Sequence, residues 1–148
     1  VYGEKPDGED WNVEIQTPSR GSGEILGTIR TKGDTSISTS GDYEKYFTDE
    51  ATGKTYFHIL DPKTGYSVET DITSCTIIAD SGLDCDGLST ACFAMGPEKS
   101  QELLKKYDAA AIFVDKKNHV YVSGDVDFSL SDENYEEVSL EEFLKANQ

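Results

Sequence analysis

Between Leu88 and Tyr107 the chain carries its tightest folding constraint. Leu88, Ala91, Cys92 and Met95 fall at i, i+3, i+4 and i+7, which puts them on one helical face. Gly96 and Pro97 then interrupt the pattern, since glycine suits a helix end and proline suits a first turn. The spacing predicts one helix through Met95 and a second from Glu98 to Tyr107. The apolar face of the first helix has to be covered by other segments of the chain.

Those segments read as strands. Trp11, Val13 and Ile15 alternate with Asn12 and Glu14, the period of a half-buried strand. The stretch from Thr17 to Gly23 reads as a loop. Glu24 to Thr31 and Asp34 to Thr39 read as two strands around Lys32-Gly33, a hairpin signal. Tyr56 to Leu60 reads as a short strand and Ile72 to Ala79 as a longer β-branched one. After the helices, Ala109 to Val114 and His119 to Ser123 flank Asp115-Lys116-Lys117-Asn118, an antiparallel pair with a four-residue loop. Ser139-Leu140-Glu141-Glu142 is a capping-box signal for a short terminal helix. Strands, then helices, then strands without a regular βαβ repeat give an α+β fold, mainly antiparallel sheet with two or three helices.

At 148 residues and 36% hydrophobic content, the chain fits one globular domain, 1–148. Residues 1–10 read as a flanking segment and 127–148 as an acidic tail with a short terminal helix. Thirteen basic against twenty-nine acidic residues give a formal net charge of -16, which argues against a nucleic-acid partner. No apolar run approaches the roughly 18 residues of a membrane span, and Val1 to Lys5 lacks a targeting pattern, so the expectation is a soluble chain. Cys75, Cys85 and Cys92 are an odd, sparse set and read as buried small hydrophobes, not as a disulfide framework or a zinc site. Asp125 and Asp127 lack the rest of a calcium loop and read as a solvated face.

Three short stretches could carry chemistry. Asp86 and Thr90 stand at i and i+4, about 5–6 Å apart at Cβ, near the expected start of the first helix. A carboxylate and a hydroxyl suit a hard cation such as magnesium, and a helix N-terminus attracts phosphate. The competing reading makes Asp86 a cap and Thr90 a residue bonded to its own turn; Asp84 competes for that cap. His58 stands beside Asp61 at a strand-to-turn junction fixed by Pro62 and Thr64-Gly65, and imidazole is a natural proton acceptor near neutral pH. Thr39-Ser40-Gly41-Asp42 reads as a turn whose N–H groups can face a phosphate, although the glycines and lysine of a nucleotide fingerprint are absent. His119, with no polar cluster around it in sequence, reads as structural.

The order of these pieces is similar to that in ApbE-type flavin transferases. Trp11-Asn12-Val13-Glu14-Ile15-Gln16 looks like the strand leading into the family's C-terminal half. Ser38-Thr39-Ser40-Gly41-Asp42-Tyr43 resembles its TSGDY segment, and His58 to Gly65 its HILDPRTG with Lys63 for arginine. Cys85 to Ala91 resembles its ADALATA, with serine at Ser89 where alanine is usual. The likeness runs from about Val1 to Val126.

The resemblance implies an FMN transferase that uses FAD as substrate and Mg2+ or another divalent cation. FMN would pass to a threonine or serine hydroxyl of an acceptor flavoprotein, releasing AMP. It implies Asp86 and Thr90 as side-chain metal ligands with the Ser89 carbonyl beside them. His58 would lie at the reacting phosphate, and Leu60, Asp61, Ser40 and Gly41 would line the FAD site. The same site with water as acceptor is an FAD pyrophosphatase, and a third possibility is a non-catalytic flavin-binding or assembly module. The glycine-rich segment, flavin-stacking residues and further metal ligand of the family's N-terminal half are not in these residues. That half becomes an expected partner, and the chain alone is expected to be inactive with weak metal affinity. The family works outside the cytoplasm and is often lipid-anchored, so the resemblance implies an extracytoplasmic setting.

Overall fold

The computed structural model describes residues 1–19 and 23–147. In chain order the elements are β1 (Trp11–Gln16), β2 (Ile25–Thr31), β3 (Ser36–Gly41), β4 (Tyr46–Thr48), β5 (Thr55–Phe57), β6 (Ile72–Ala79), α1 (Gly82–Lys106), β7 (Ala110–Asp115), β8 (His119–Ser123), β9 (Asp127–Leu130), β10 (Glu136–Glu137) and α2 (Leu140–Ala146). Five strands form the central sheet in the order β10-β8-β7-β6-β3. Every pairing in it is antiparallel except the short β10–β8 contact. The fold is α+β, as the order of apolar patterns predicts.

The central sheet is buried on both sides, which is why β7 reads Ala-Ala-Ile-Phe-Val-Asp with every residue buried. Strand alternation divides its side chains. Cys75, Ile77, Ala111 and Phe113 join Leu88, Cys92 and Phe93 of α1 in one core cluster. Ile78, Ala110, Ile112 and Val114 face the other way and pack with Ile15, Leu26 and Ile29. Those last residues belong to a three-stranded sheet, β1-β2-β9, stacked on the face opposite α1. The result is three layers: helix, five-stranded sheet, three-stranded sheet.

The expected hairpin around Lys32-Gly33 does not form. β2 pairs with β1 and β9, whereas β3 pairs with β6 in the central sheet. The turn is there, with Gly33 at φ +73°, but it hands the chain from one layer to the next. Leu26 and Ile29 of β2 are fully buried between the layers, a position they could not hold beside β3. Thr39, Ser40 and Gly41 likewise lie inside β3, opposite Thr76, Cys75 and Ser74, and not in a loop. The expected strand from Tyr56 to Leu60 is broken after Phe57, and Leu60 makes an isolated bridge with Ser67.

Gly96 and Pro97 act as the sequence predicts. Gly96 has φ 77° and ψ 170°, so α1 is two helical segments meeting at a kink. Its start is earlier than expected. Ser81 is the N-cap, accepting from the Asp84 N–H at 3.2 Å, so Asp84 is not the cap and Asp86 lies in the second turn. Met95, assigned to the apolar face, is 36% exposed at the end of the first segment. At the C-terminus the capping box forms as read, with Ser139 and Glu142 bonded reciprocally. Phe143 of α2 is buried against Tyr121, ring centroids 6.0 Å apart. None of the described helices is long and apolar enough to cross a membrane.

Candidate active site

β3 contributes one edge of the site. Its alternation puts Ser36, Ser38 and Ser40 on the face that α1 covers, while Ile37 packs into the opposite layer. The second turn of α1 lies directly against these serines. Ser40 Oγ is 2.8 Å from Ser89 Oγ and 3.1 Å from Thr90 Oγ1, and Ser38 Oγ is 3.4 Å from Ser89 Oγ. Ser89 is buried, and its hydroxyl donates to the Asp86 carbonyl at 3.0 Å. Asp86 and Thr90 are exposed one helical turn apart. Backbone spacing explains the geometry: residues i and i+4 share a helix face, and Ser89 alone of the trio turns inward.

Gly41 ends β3 where a side chain has no room. A Cβ there would run into the Tyr43 ring and lie 2.8 Å from the Thr73 carbonyl oxygen. That same carbonyl accepts the Asp42 N–H at 3.2 Å, which anchors the end of β3. Burial, with Glu44 and Asp42 nearby, raises the Tyr43 hydroxyl above its ordinary pKa.

The second wall is the turn from His58 to Gly65. Asp61 organises it: its carboxylate accepts the Lys63 N–H at 2.8 Å, and its carbonyl accepts the N–H groups of Thr64 and Gly65. Gly65 has φ +72°, the left-handed backbone that glycine adopts without strain. Ile59 is buried, and Phe57 meets Phe93 of α1 edge-on at 5.9 Å. His58, between them, therefore faces outward and is exposed; its backbone N–H donates to the Lys45 carbonyl. Leu60 is 54% exposed. A cleft of about 640 Å³, ample for a bound nucleotide, runs between this turn and α1. Asp61, Thr64, Tyr66 and Tyr56 line it together with Ala94, one turn beyond Thr90.

The structure thus joins Ser40, Ser89 and Thr90 directly. It puts Asp61 and the middle of α1 on a common cleft, and among the described residues it links the His58 imidazole to no other side chain by a hydrogen bond or ion pair. The donor set around Thr90 is all oxygen, which fits a hard divalent cation. The Ser89 carbonyl sits on the same helical turn and keeps one lone pair beyond its helical bond. Among the described residues no three of His, Cys, Asp and Glu group to hold a metal by themselves. A cation here would draw its remaining ligands from water or phosphate.

One polar cluster escaped the sequence. Asp115, 1% exposed, accepts from the Lys117 N–H, the His119 N–H and Asn147 Nδ2 at 2.8–2.9 Å, and lies 3.0 Å from His119 Nδ1. His119 is therefore a hydrogen-bonding neighbour of this buried carboxylate, a structural role with a polar partner that the local sequence does not show. Burial alone would raise the Asp115 carboxyl, but its hydrogen bonds with Asn147, His119 and Lys117 outweigh that and hold it below its ordinary value. The contact to Asn147 spans 32 residues, so no local pattern announces it.

Solved flavin transferases share this α+β fold. The ApbE family sequence model matches residues 1–113, and the chain belongs to the ApbE family. An FAD:protein FMN transferase from Treponema pallidum is 43% identical over 111 residues, covering 73% of this chain and 30% of that protein. The crystal structure of the ApbE protein from Thermotoga maritima superposes with a TM-score of 0.64 at 28% identity, covering 99% of this chain and 41% of that one. The apo flavinyl transferase ApbE of Pseudomonas stutzeri gives 0.57 at 34% identity, covering 88% and 37%. The chain spans about a third of the length of these relatives.

Proposed function

We propose that this chain carries part of the active site of an FAD:protein FMN transferase. Asp86 and Thr90 hold a divalent cation, Mg2+ or another of similar hardness, with the Ser89 carbonyl beside them. His58 serves the reacting phosphate, and Leu60, Asp61, Ser40 and Gly41 border the FAD site. The observation that carries the reading is the convergence of Ser40, Ser89 and Thr90 next to the cleft that Asp61 lines. The rest of the family fold supplies the remaining wall, and the acceptor is a flavoprotein with a reactive threonine or serine, met in an extracytoplasmic, lipid-anchored setting.

In this reaction the acceptor hydroxyl oxygen attacks the FMN-side phosphorus, the bond to the bridging oxygen breaks, and AMP leaves with that electron pair. A cation held by Asp86 and Thr90 would supply charge neutralisation on the phosphate oxygens. An imidazole nitrogen of His58, exposed on its turn, takes the hydroxyl proton. Asp61 holds that turn rigid, and Ser40 and Ser89 set the position of Thr90. With water as acceptor, the same residues release FMN and AMP.

A second reading is a non-catalytic flavin-binding or assembly module, favoured by the single carboxylate in the donor set. The two separate when the chain is combined with the N-terminal part of a family member, FAD, Mg2+ and an acceptor protein. A gain of one FMN by the acceptor, read by mass spectrometry and abolished by Asp86→Ala, supports the transferase. No gain with intact FAD binding supports the module.

A further inference from the structure

The hydroxyls around Thr90 form a chain whose direction is fixed at one end. The Asp86 carbonyl can only accept, so the Ser89 hydroxyl spends its single proton there, at 3.0 Å. At the 2.8 Å contact between Ser40 and Ser89, Ser40 must then be the donor. Ser40 has no second proton, so at 3.1 Å the Thr90 hydroxyl must donate to Ser40. Ser38, 3.4 Å from Ser89, adds a donor to the remaining lone pair of Ser89. Burial keeps water from the Ser89 hydroxyl, the end at which the direction is set.

We infer that the Ser89 hydroxyl is a positioning residue which, through Ser40, holds Thr90 with its proton turned toward the sheet and its lone pairs turned outward to a cation. The inference rests on the cation reading above. It differs from a role for the Ser89 carbonyl, because it assigns the effect to the side chain. Removing the Ser89 hydroxyl frees the Ser40 proton to donate to Thr90. One Thr90 lone pair is then occupied and the Thr90 proton swings toward the cation. Losing one well-made hydrogen bond of this kind weakens cation binding by roughly three- to tenfold. Ser40→Ala removes the same link one step earlier, so the two substitutions act as a unit and not additively.

The test is Mn2+ titration of this chain into the millimolar range, followed by electron paramagnetic resonance of the free ion. Ser89→Ala is expected to weaken binding by that factor and Ser89→Thr, which keeps the hydroxyl, to restore it. Ser40→Ala/Ser89→Ala should bind no more weakly than Ser40→Ala alone. If Ser89→Ala does not fold by circular dichroism, Ser40→Ala at the sheet edge carries the test with the same expected loss. Wild-type affinity in Ser89→Ala, or losses that add in the double variant, would overturn the inference while leaving the cation site intact. Equal Mn2+ binding by wild type and Asp86→Ala, or none by either, would remove the cation reading and this inference with it.

Discussion

Substituting Gly41 by alanine tests whether the close packing of β3 against its surroundings sets the site. The new methyl meets the Tyr43 ring on one side and the Thr73 carbonyl oxygen at 2.8 Å on the other. Tyr43 can swing only by giving up burial, and Thr73 is backbone tied to Asp42. Contacts this short force the Tyr43 ring and the end of β3 to move, a strain worth about 1–3 kcal/mol. With a urea slope near 2 kcal/mol/M, the unfolding midpoint should fall by about 0.5–1.5 M. Gly87 provides the opposite case within the same chain. It lies inside α1 with nothing within 4 Å of its Cβ position, so Gly87→Ala should raise stability by about 0.5–1 kcal/mol. Urea denaturation by circular dichroism reads both. A Gly41→Ala midpoint equal to wild type would refute the argument, because it would mean that neither Tyr43 nor Thr73 lies where the contacts require.

Other outcomes follow from the same structure. Phe93→Ala opens a cavity under Phe57 and the His58 turn and should cost about 3–5 kcal/mol in denaturant unfolding. Asp115→Asn takes the charge from a buried acceptor of four donors and should cost about 2–3 kcal/mol. The Asp115 carboxyl titrates below its unfolded value of 3.8, so its contribution is complete above that pH and is lost as pH falls through the native value. Acid unfolding of Asp115→Asn should accordingly show a shallower pH dependence below about pH 4 than wild type. His58→Ala should leave the unfolding midpoint unchanged because the side chain is exposed. In the complemented transfer assay it should slow FMN transfer by about 10²–10⁴-fold.

What could be read from the sequence was what local chemistry decides. Strand alternation from Trp11 to Ile15, the β-branched run from Ile72, the Gly96-Pro97 break and the Ser139 capping box each depend on residues within a few positions. The hairpin reading failed because a glycine turn encodes a change of direction, not which layer the next strand joins. The choice between Asp84 and Asp86 as cap missed Ser81 for a related reason: serine caps as readily as aspartate, and packing of Cys85 and Leu88 selects the frame. The Ser40–Ser89–Thr90 group and the Asp115–Asn147 contact bring together residues 49, 50 and 32 positions apart. Such pairs are set by sheet register and helix placement, and no spacing rule along the chain encodes them.

The charge of the molecule gives the candidate site its logic. A surface at -16 repels a dinucleotide carrying two phosphates. The cleft offers Lys54, but that ammonium lies over the Tyr56 ring at 5.4 Å and 3.8 Å from Glu69. Its charge is therefore already partly balanced within the chain. Neutralisation near the reacting phosphate has to come from something more compact and more highly charged. In the proposed site the oxygens of Asp86 and Thr90, on the turns of α1 before Ala94, suit a hard divalent ion. An ion held there also overcomes the repulsion locally, since at contact distance its attraction to phosphate exceeds the screened push of a diffuse acidic surface. On the proposed function, the acidity of the chain and its hydroxyl-built second turn of α1 fit a single requirement, that nucleotide and cation enter the site together.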